Sequence, residues 1–180
     1  MANNTYRAVN VNNQVSTGDA GVRTINLPNQ TIKLKTLEIG YTNTLTNLNC
    51  PGNSLTTLAV SNIPALKYLY CDDNSLTTLD VSSNLALESL TCFGNSSLQK
   101  LYLPVQNIDY FVIYANPNLT DIYTKSASGI QTIDSNQSQS NGINRNTYTI
   151  HRPVGSTATF SGKTYNGGTN ITFTYIDDNN

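Results

Sequence analysis

Charge is scarce in this chain. Only 12% of its 180 residues are charged and the formal net charge is −1, with Lys and Arg scattered rather than clustered. That leaves no electrostatic footprint for nucleic acid or for an anionic membrane, and neither is expected as a partner. Long apolar runs are missing too, so no membrane insertion through a helix is expected. The first residues, Met1-Ala2-Asn3-Asn4-Thr5, carry neither the basic nor the apolar region of a secretory signal. The expectation is a protein made in the cytoplasm without export, or one whose signal has been removed. Tryptophan is absent and His151 is the only histidine; it sits in a strand-like stretch and reads as an ordinary strand residue. The sequence holds no phosphate loop, no paired metal motif and no Cys–His pair at a workable spacing. The expectation is therefore no enzyme, no catalytic residue and no cofactor. Three cysteines, one per repeat and far from any His, make no zinc set. Asp72-Asp73 and Asp177-Asp178 could lend oxygens to calcium, but two adjacent acids are a thin ligand set and they read as solvated turns.

What the chain has in quantity is asparagine, about one residue in seven, together with Thr and Ser. Their short polar side chains compete for the backbone, which favours turns and strand faces over long helices. They are also periodic. Cys50, Cys71 and Cys92 recur every 21 residues, and Asn53, Asn74, Asn95 and Asn116 keep the same period three residues behind. A period of this size, held over four copies, marks a solenoid whose units stack only on their neighbours.

Each period contains a half-period, apolar-x-x-apolar-x-apolar. It runs through Leu34/Leu37/Ile39, Leu45/Leu48/Cys50, Leu55/Leu58/Val60, Leu66/Leu69/Cys71 and Leu76/Leu79/Val81. It continues through Leu87/Leu90/Cys92, Leu98/Leu101/Leu103, Ile108/Phe111/Ile113 and Leu119/Ile122. The last two apolar residues of each triplet alternate as in a strand, so each coil should carry two short extended segments around a narrow core. One coil alone cannot fold: about five buried apolar side chains at roughly 2 kcal/mol each fall short of a backbone ordering cost of about 1–2 kcal/mol per residue. Stacking must supply the rest. The cysteines, sharing one inward position, read as buried, reduced hydrophobes rather than a disulfide framework. The asparagines read as a ladder that bonds backbone amides of their own and the next turn.

The runs Leu45-x-x-Leu48-x-Cys50-x-x-Asn53-x-Leu55 and Leu66-x-x-Leu69-x-Cys71-x-x-Asn74-x-Leu76 match the leucine-rich-repeat consensus. With the cysteine column, residues 34–124 resemble the 21-residue bacterial variety, of the internalin J and Bacteroidetes surface-protein type. The resemblance implies surface display and binding of protein or glycan without catalysis. At its end the pattern drifts: Ile113 stands where a cysteine is due, and an extra residue precedes Leu98 and again Leu119.

The expected architecture is mostly all-β, a leucine-rich-repeat-type solenoid of about four coils over residues 34–124. Residues 1–33, with two short apolar alternations, read as an N-terminal arm or cap. Residues 125–146 read as a linker, because Ser135 to Asn146 is almost entirely Ser, Asn, Gln and Gly. Residues 147–180 hold three strand-like stretches with Gly-containing turns between them, read as a small antiparallel β unit. Within it, the segment Ala158–Gly168 resembles short β modules of phage structural proteins.

Alternation also predicts a binding face. With Leu69, Cys71, Leu90, Cys92, Phe111 and Ile113 turned inward, Tyr68, Tyr70, Asp72, Phe93, Tyr110 and Tyr114 turn outward, beside Ser89, Thr91 and Val112. The opposite side, with Thr57, Ala59, Thr78, Asp80, Lys100 and Tyr102, reads as plainer. An exposed aromatic cluster usually marks an interface. The functional expectation is a non-enzymatic display component of a larger, oligomeric assembly, a phage virion first of all, whose partners are other subunits. The alternative is an exported adhesin at the bacterial surface that binds host protein or glycan.

Overall fold

The computed structural model describes residues 2–10, 12, 15–19, 21–28, 31–126, 128, 130–134, 147–163 and 172–178. Among these residues there is no helix. The strands are β1 (Thr5–Asn10), β2 (Val15–Asp19), β3 (Thr24–Asn26), β4 (Leu34–Ile39), β5 (Asn47–Asn49), β6 (Tyr68–Tyr70), β7 (Thr78–Asp80) and β8 (Ser89–Thr91). They continue with β9 (Lys100–Leu103), β10 (Tyr110–Val112), β11 (Asp121–Thr124), β12 (Ile130–Asp134), β13 (Thr147–Pro153), β14 (Thr159–Lys163) and β15 (Thr172–Asp178).

Two parallel sheets form the sides of an all-β solenoid of about six turns. The first sheet has the order β14-β12-β10-β8-β6-β5-β3, and the second β15-β13-β11-β9-β7. Strands are short because the half-period allows only about three extended residues before the chain must turn. Register follows the sequence repeat: Leu48 lies on Leu69, Leu69 on Leu90 and Leu90 on Phe111, while Leu79 lies on Leu101 and Leu101 on Ile122. Every apolar residue of the half-period triplets is buried, and all belong to one continuous core.

The asparagine column closes the corner after each first-sheet strand. Asn74 Nδ2 donates to the carbonyls of Cys71 and Asp72 in its own coil (3.1 Å each) and of Cys50 in the preceding one (3.0 Å). Its Oδ1 accepts from Leu55 N at 3.0 Å. Asn53 and Asn95 repeat the pattern with Leu34 N and Leu76 N, so the ladder reaches back to the previous turn rather than forward. Asn116 donates to Cys92 and Ile113 but accepts from Asn95 N. The residue just before each Asn has positive φ: Gly52 at 65°, Asp73 at 52°, Gly94 at 70° and Ala115 at 54°. A left-handed residue at every corner is thus a second column of the repeat. Gln131 takes over the closing role one coil later, with both its amide atoms on the Ile108 backbone at 2.8 Å.

Both flanks differ from the sequence reading. At the N-terminus, β1 and β2 form an antiparallel hairpin on β4, which covers the first coil as expected of a cap. However, β3 already belongs to the parallel first sheet, pairing with β5, so the solenoid begins inside the 1–33 segment.

The correction at the C-terminus is larger. Residues 147–178 form no antiparallel unit: β13 pairs parallel with β11, β15 with β13, β12 with β10 and β14 with β12. These strands are the last coils of the solenoid, and β12 lies inside the expected linker. The Ser135–Asn146 stretch lies outside the described residues, as does residues 164–168 of the phage-like segment. Ile122 and Ile150 are register partners 28 residues apart, and Ile130 and Thr159 are 29 apart. The longer corners break the 21-residue spacing while the rungs continue. Aromatic residues replace leucines here. Tyr148 and Phe160 are buried, Phe173 packs beside both, and Phe160 N donates to Tyr175 Oη at 2.8 Å.

Candidate functional site

On the first sheet, neighbouring strands bring the expected face together. Tyr68, Ser89 and Tyr110 share one column, and Tyr70, Thr91 and Val112 the next. Tyr110 is 52% exposed, whereas Tyr68 and Tyr70 are half-buried. Tyr68 Oη donates to Glu88 Oε2 at 2.9 Å, and Glu88 also pairs with Lys67 at 2.5 Å, which fixes the phenol in place. Phe93 and Tyr114 are both half-buried and stack with centroids 4.6 Å apart and planes 9° apart.

Other members of the expected face lie deeper. Ser89, Thr91 and Val112 point outward in the alternation yet are buried. They form the floor of the patch, with the tyrosines rising beside them. Asp72 is buried too, at 7% exposure. Its carboxylate accepts from Thr91 Oγ1 at 2.7 Å and from Phe93 N at 3.2 Å, which ties its own coil to the next. Burial pushes its carboxyl up to about 6, against the opposing pull of these two hydrogen bonds. Asp72 is therefore a brace beneath the aromatic patch, and neither an exposed contact nor a solvated turn.

The cysteine column is buried and free of disulfides. Burial, with the Asp72 charge adding to it, pushes the Cys50 thiol up to about 12, and burial raises Cys71 and Cys92 further above the usual range. Thiols held this firmly protonated are packing groups and not nucleophiles.

The second sheet carries a cluster that sequence reasoning passed over. Tyr102, Tyr123 and His151 occupy one outward column on β9, β11 and β13. Their rings form a continuous stack, 4.5 Å and 14° for the first pair and 4.2 Å and 14° for the second. His151 Nε2 meets Asp121 Oδ1 at 2.8 Å, and Nδ1 meets Asp178 Oδ2 at 2.7 Å. Two carboxylates can both accept only from an imidazolium, which donates from each nitrogen. Burial alone would lower the histidine's pKa, but the hydrogen bonds and charges of Asp121 and Asp178 outweigh it and raise it. Beside it, Arg152 Nε donates to Asp177 Oδ1 at 2.6 Å, with its guanidinium 4.6 Å from the Tyr175 ring centre. Asp177 and Asp178, read from sequence as solvated turns, are partners of Arg152 and His151. The only available signal was the outward parity that His151 shares with Tyr123 and Tyr102, and it needed the register of a coil the repeat did not reveal.

Comparison of the chain with protein-family models, with curated proteins and with solved structures gives no match.

Proposed function

We propose that this protein is a non-enzymatic recognition solenoid of leucine-rich-repeat type, acting as the display component of a larger assembly and engaging a protein partner through the Tyr68–Tyr114 face. The observation that carries this reading is the clustering of Tyr68, Tyr70, Phe93, Tyr110 and Tyr114 on three adjacent coils of one rigid sheet. Tyrosine-rich patches poor in charge make the energetic centres of protein interfaces. The Glu88 clamp on Tyr68 and the Phe93–Tyr114 stack hold the rings before any partner arrives, which lowers the entropy lost on binding. Two settings are proposed, a phage particle first and the bacterial cell surface as the alternative. The C-terminal strands belong to the solenoid and need no neighbouring chain to cover them, so the assembly role rests on the aromatic face.

The test is a cross-linking capture from particle and envelope fractions of the source, using the wild type and a Tyr70→Ala/Tyr110→Ala variant of unchanged melting temperature. Specific protein partners captured by the wild type and lost from the variant support the reading, and the fraction they come from decides the setting. Equal capture by both proteins overturns it.

A further inference from the structure

The ring stack on the second sheet has one open end. Ring centres 4.5 Å apart with planes 14° apart match the spacing of neighbouring strands, about 4.8 Å, so the ring planes lie across the solenoid axis. His151 closes one end of the stack, pinned from both sides by carboxylates. At the other end, the far face of Tyr102 looks toward the next rung, where its register partner is Asp80 and the rung after holds Ala59. Both of those side chains are short and exposed. A tyrosine wall therefore rises above a low floor.

Two grooves meet on that floor. One, of about 290 Å³, is lined by Asp80, Ser82, Tyr102, Tyr123, Thr124 and Lys125 among others. The second, of about 240 Å³, lies on the Thr57, Ser61 and Thr78 side and also contains Asp80. Together they approach the size of an ordinary ligand site. The lining combines a flat ring with hydroxyls, one carboxylate and one ammonium.

From this arrangement we propose a second binding site, for a neutral oligosaccharide, with one pyranose ring stacked on Tyr102 and its hydroxyls on Asp80 and the neighbouring Ser and Thr side chains. The positively polarised C–H face of a pyranose complements the negative face of an aromatic ring. Sugar hydroxyls both donate and accept, which suits a floor of carboxylate and hydroxyls. Asp80 and Lys125 face the same groove with opposite charges, which selects against strongly cationic and strongly anionic ligands alike. The His151 clamp contributes rigidity: a ring already stacked loses little freedom when a sugar arrives.

The test applies full-length protein to an array of neutral, sialylated and sulfated oligosaccharides. Neutral glycans should bind, and binding should persist at about 1 M salt, where the Debye length is about 3 Å. Binding should fall about tenfold or more in Tyr102→Ala, persist in Tyr102→Phe, and weaken in Asp80→Ala, whose exposed side chain supports no packing. Tyr70→Ala, on the opposite face, should bind glycan as the wild type does, so failure of the protein-partner reading is separable from failure of this one. The proposal is overturned if no neutral glycan binds above background, if only charged glycans bind, or if Tyr102→Ala and Asp80→Ala both bind like the wild type.

Discussion

Asn74 illustrates how one side chain can hold three pieces of backbone. Its amide nitrogen donates to carbonyls in two coils and its oxygen receives Leu55 N, all without contact with water. Asn74→Ala leaves those groups buried and unpaired, and should destabilise by about 1–3 kcal/mol, against no measurable change for Asn43→Ala on the surface. Asn74→Asp should be at least as harmful, since it keeps the acceptor for Leu55 but turns a carboxylate oxygen toward three carbonyls. Chemical denaturation checks both, and equal midpoints for the Asn74 and Asn43 variants would contradict the ladder. The column one residue earlier gives the opposite sign. Ala115 occupies the left-handed corner at φ 54° that glycine fills at positions 52 and 94. Its Cβ costs about 1–2 kcal/mol there, and glycine returns about 0.4–1 kcal/mol through greater freedom of the unfolded chain. Ala115→Gly should therefore stabilise by up to about 1 kcal/mol, read as a raised melting temperature; a lowered one would show that the corner carries no strain.

At the scale of elements, His151 ties three strands together, with Asp121 on β11 and Asp178 on β15. The groups facing it are these two carboxylates and the Tyr123 ring; Lys100 adds its charge beside Asp121, and the Arg152–Asp177 pair lies next along the strands. The histidine's folded pKa is raised above its usual value of about 6.5, so its contribution is complete below that value and disappears as pH rises through the folded pKa. Asp121 works in the other direction. Burial would raise it, but the Thr120 hydroxyl and His151 outweigh that and lower it, so its contribution is present above the usual carboxylate range and fades as pH falls through the folded pKa. The clasp is whole between those limits. Because the chain has one histidine, a single imidazole resonance reports it. That resonance should titrate above about 6.5 in the wild type and move down in Asp178→Asn, while exchange protection of β15 weakens on the alkaline side. A titration at or below the usual value would contradict the clasp.

At the scale of the molecule, legibility followed the constancy of the repeat. Between Leu34 and Ile122 the spacing barely changes, and each residue expected inside is inside. Parity also showed which aromatic residues face out, but it carries no depth, so Asp72, Ser89 and Thr91 looked exposed while sitting below the tyrosines. Beyond Thr124 the rungs persist while the corners lengthen to a 28–29 residue coil and aromatics take the place of leucines. Spacing then no longer identifies partners. The His151 cluster was hidden for the same reason: its members lie 30 and 27 residues apart and meet only in those irregular coils. Whether residues 127–180 are an appendage or part of the stack has a physical consequence. In a solenoid, stability is a sum of coil terms and nearest-neighbour interfaces, and a bare end exposes core. Removing 127–180 deletes the strands that cover β10 and β11 and opens Phe111 and Ile122, both buried in the intact chain, to solvent. An appended unit would leave the melting temperature of the 21-residue coils unchanged and would melt separately. An integral one predicts a single cooperative transition for the full chain, with a truncated protein that melts lower and binds a hydrophobic dye. Differential scanning calorimetry of the two proteins decides between them, and two resolved transitions in the full chain would return the C-terminal strands to the status of a separate module.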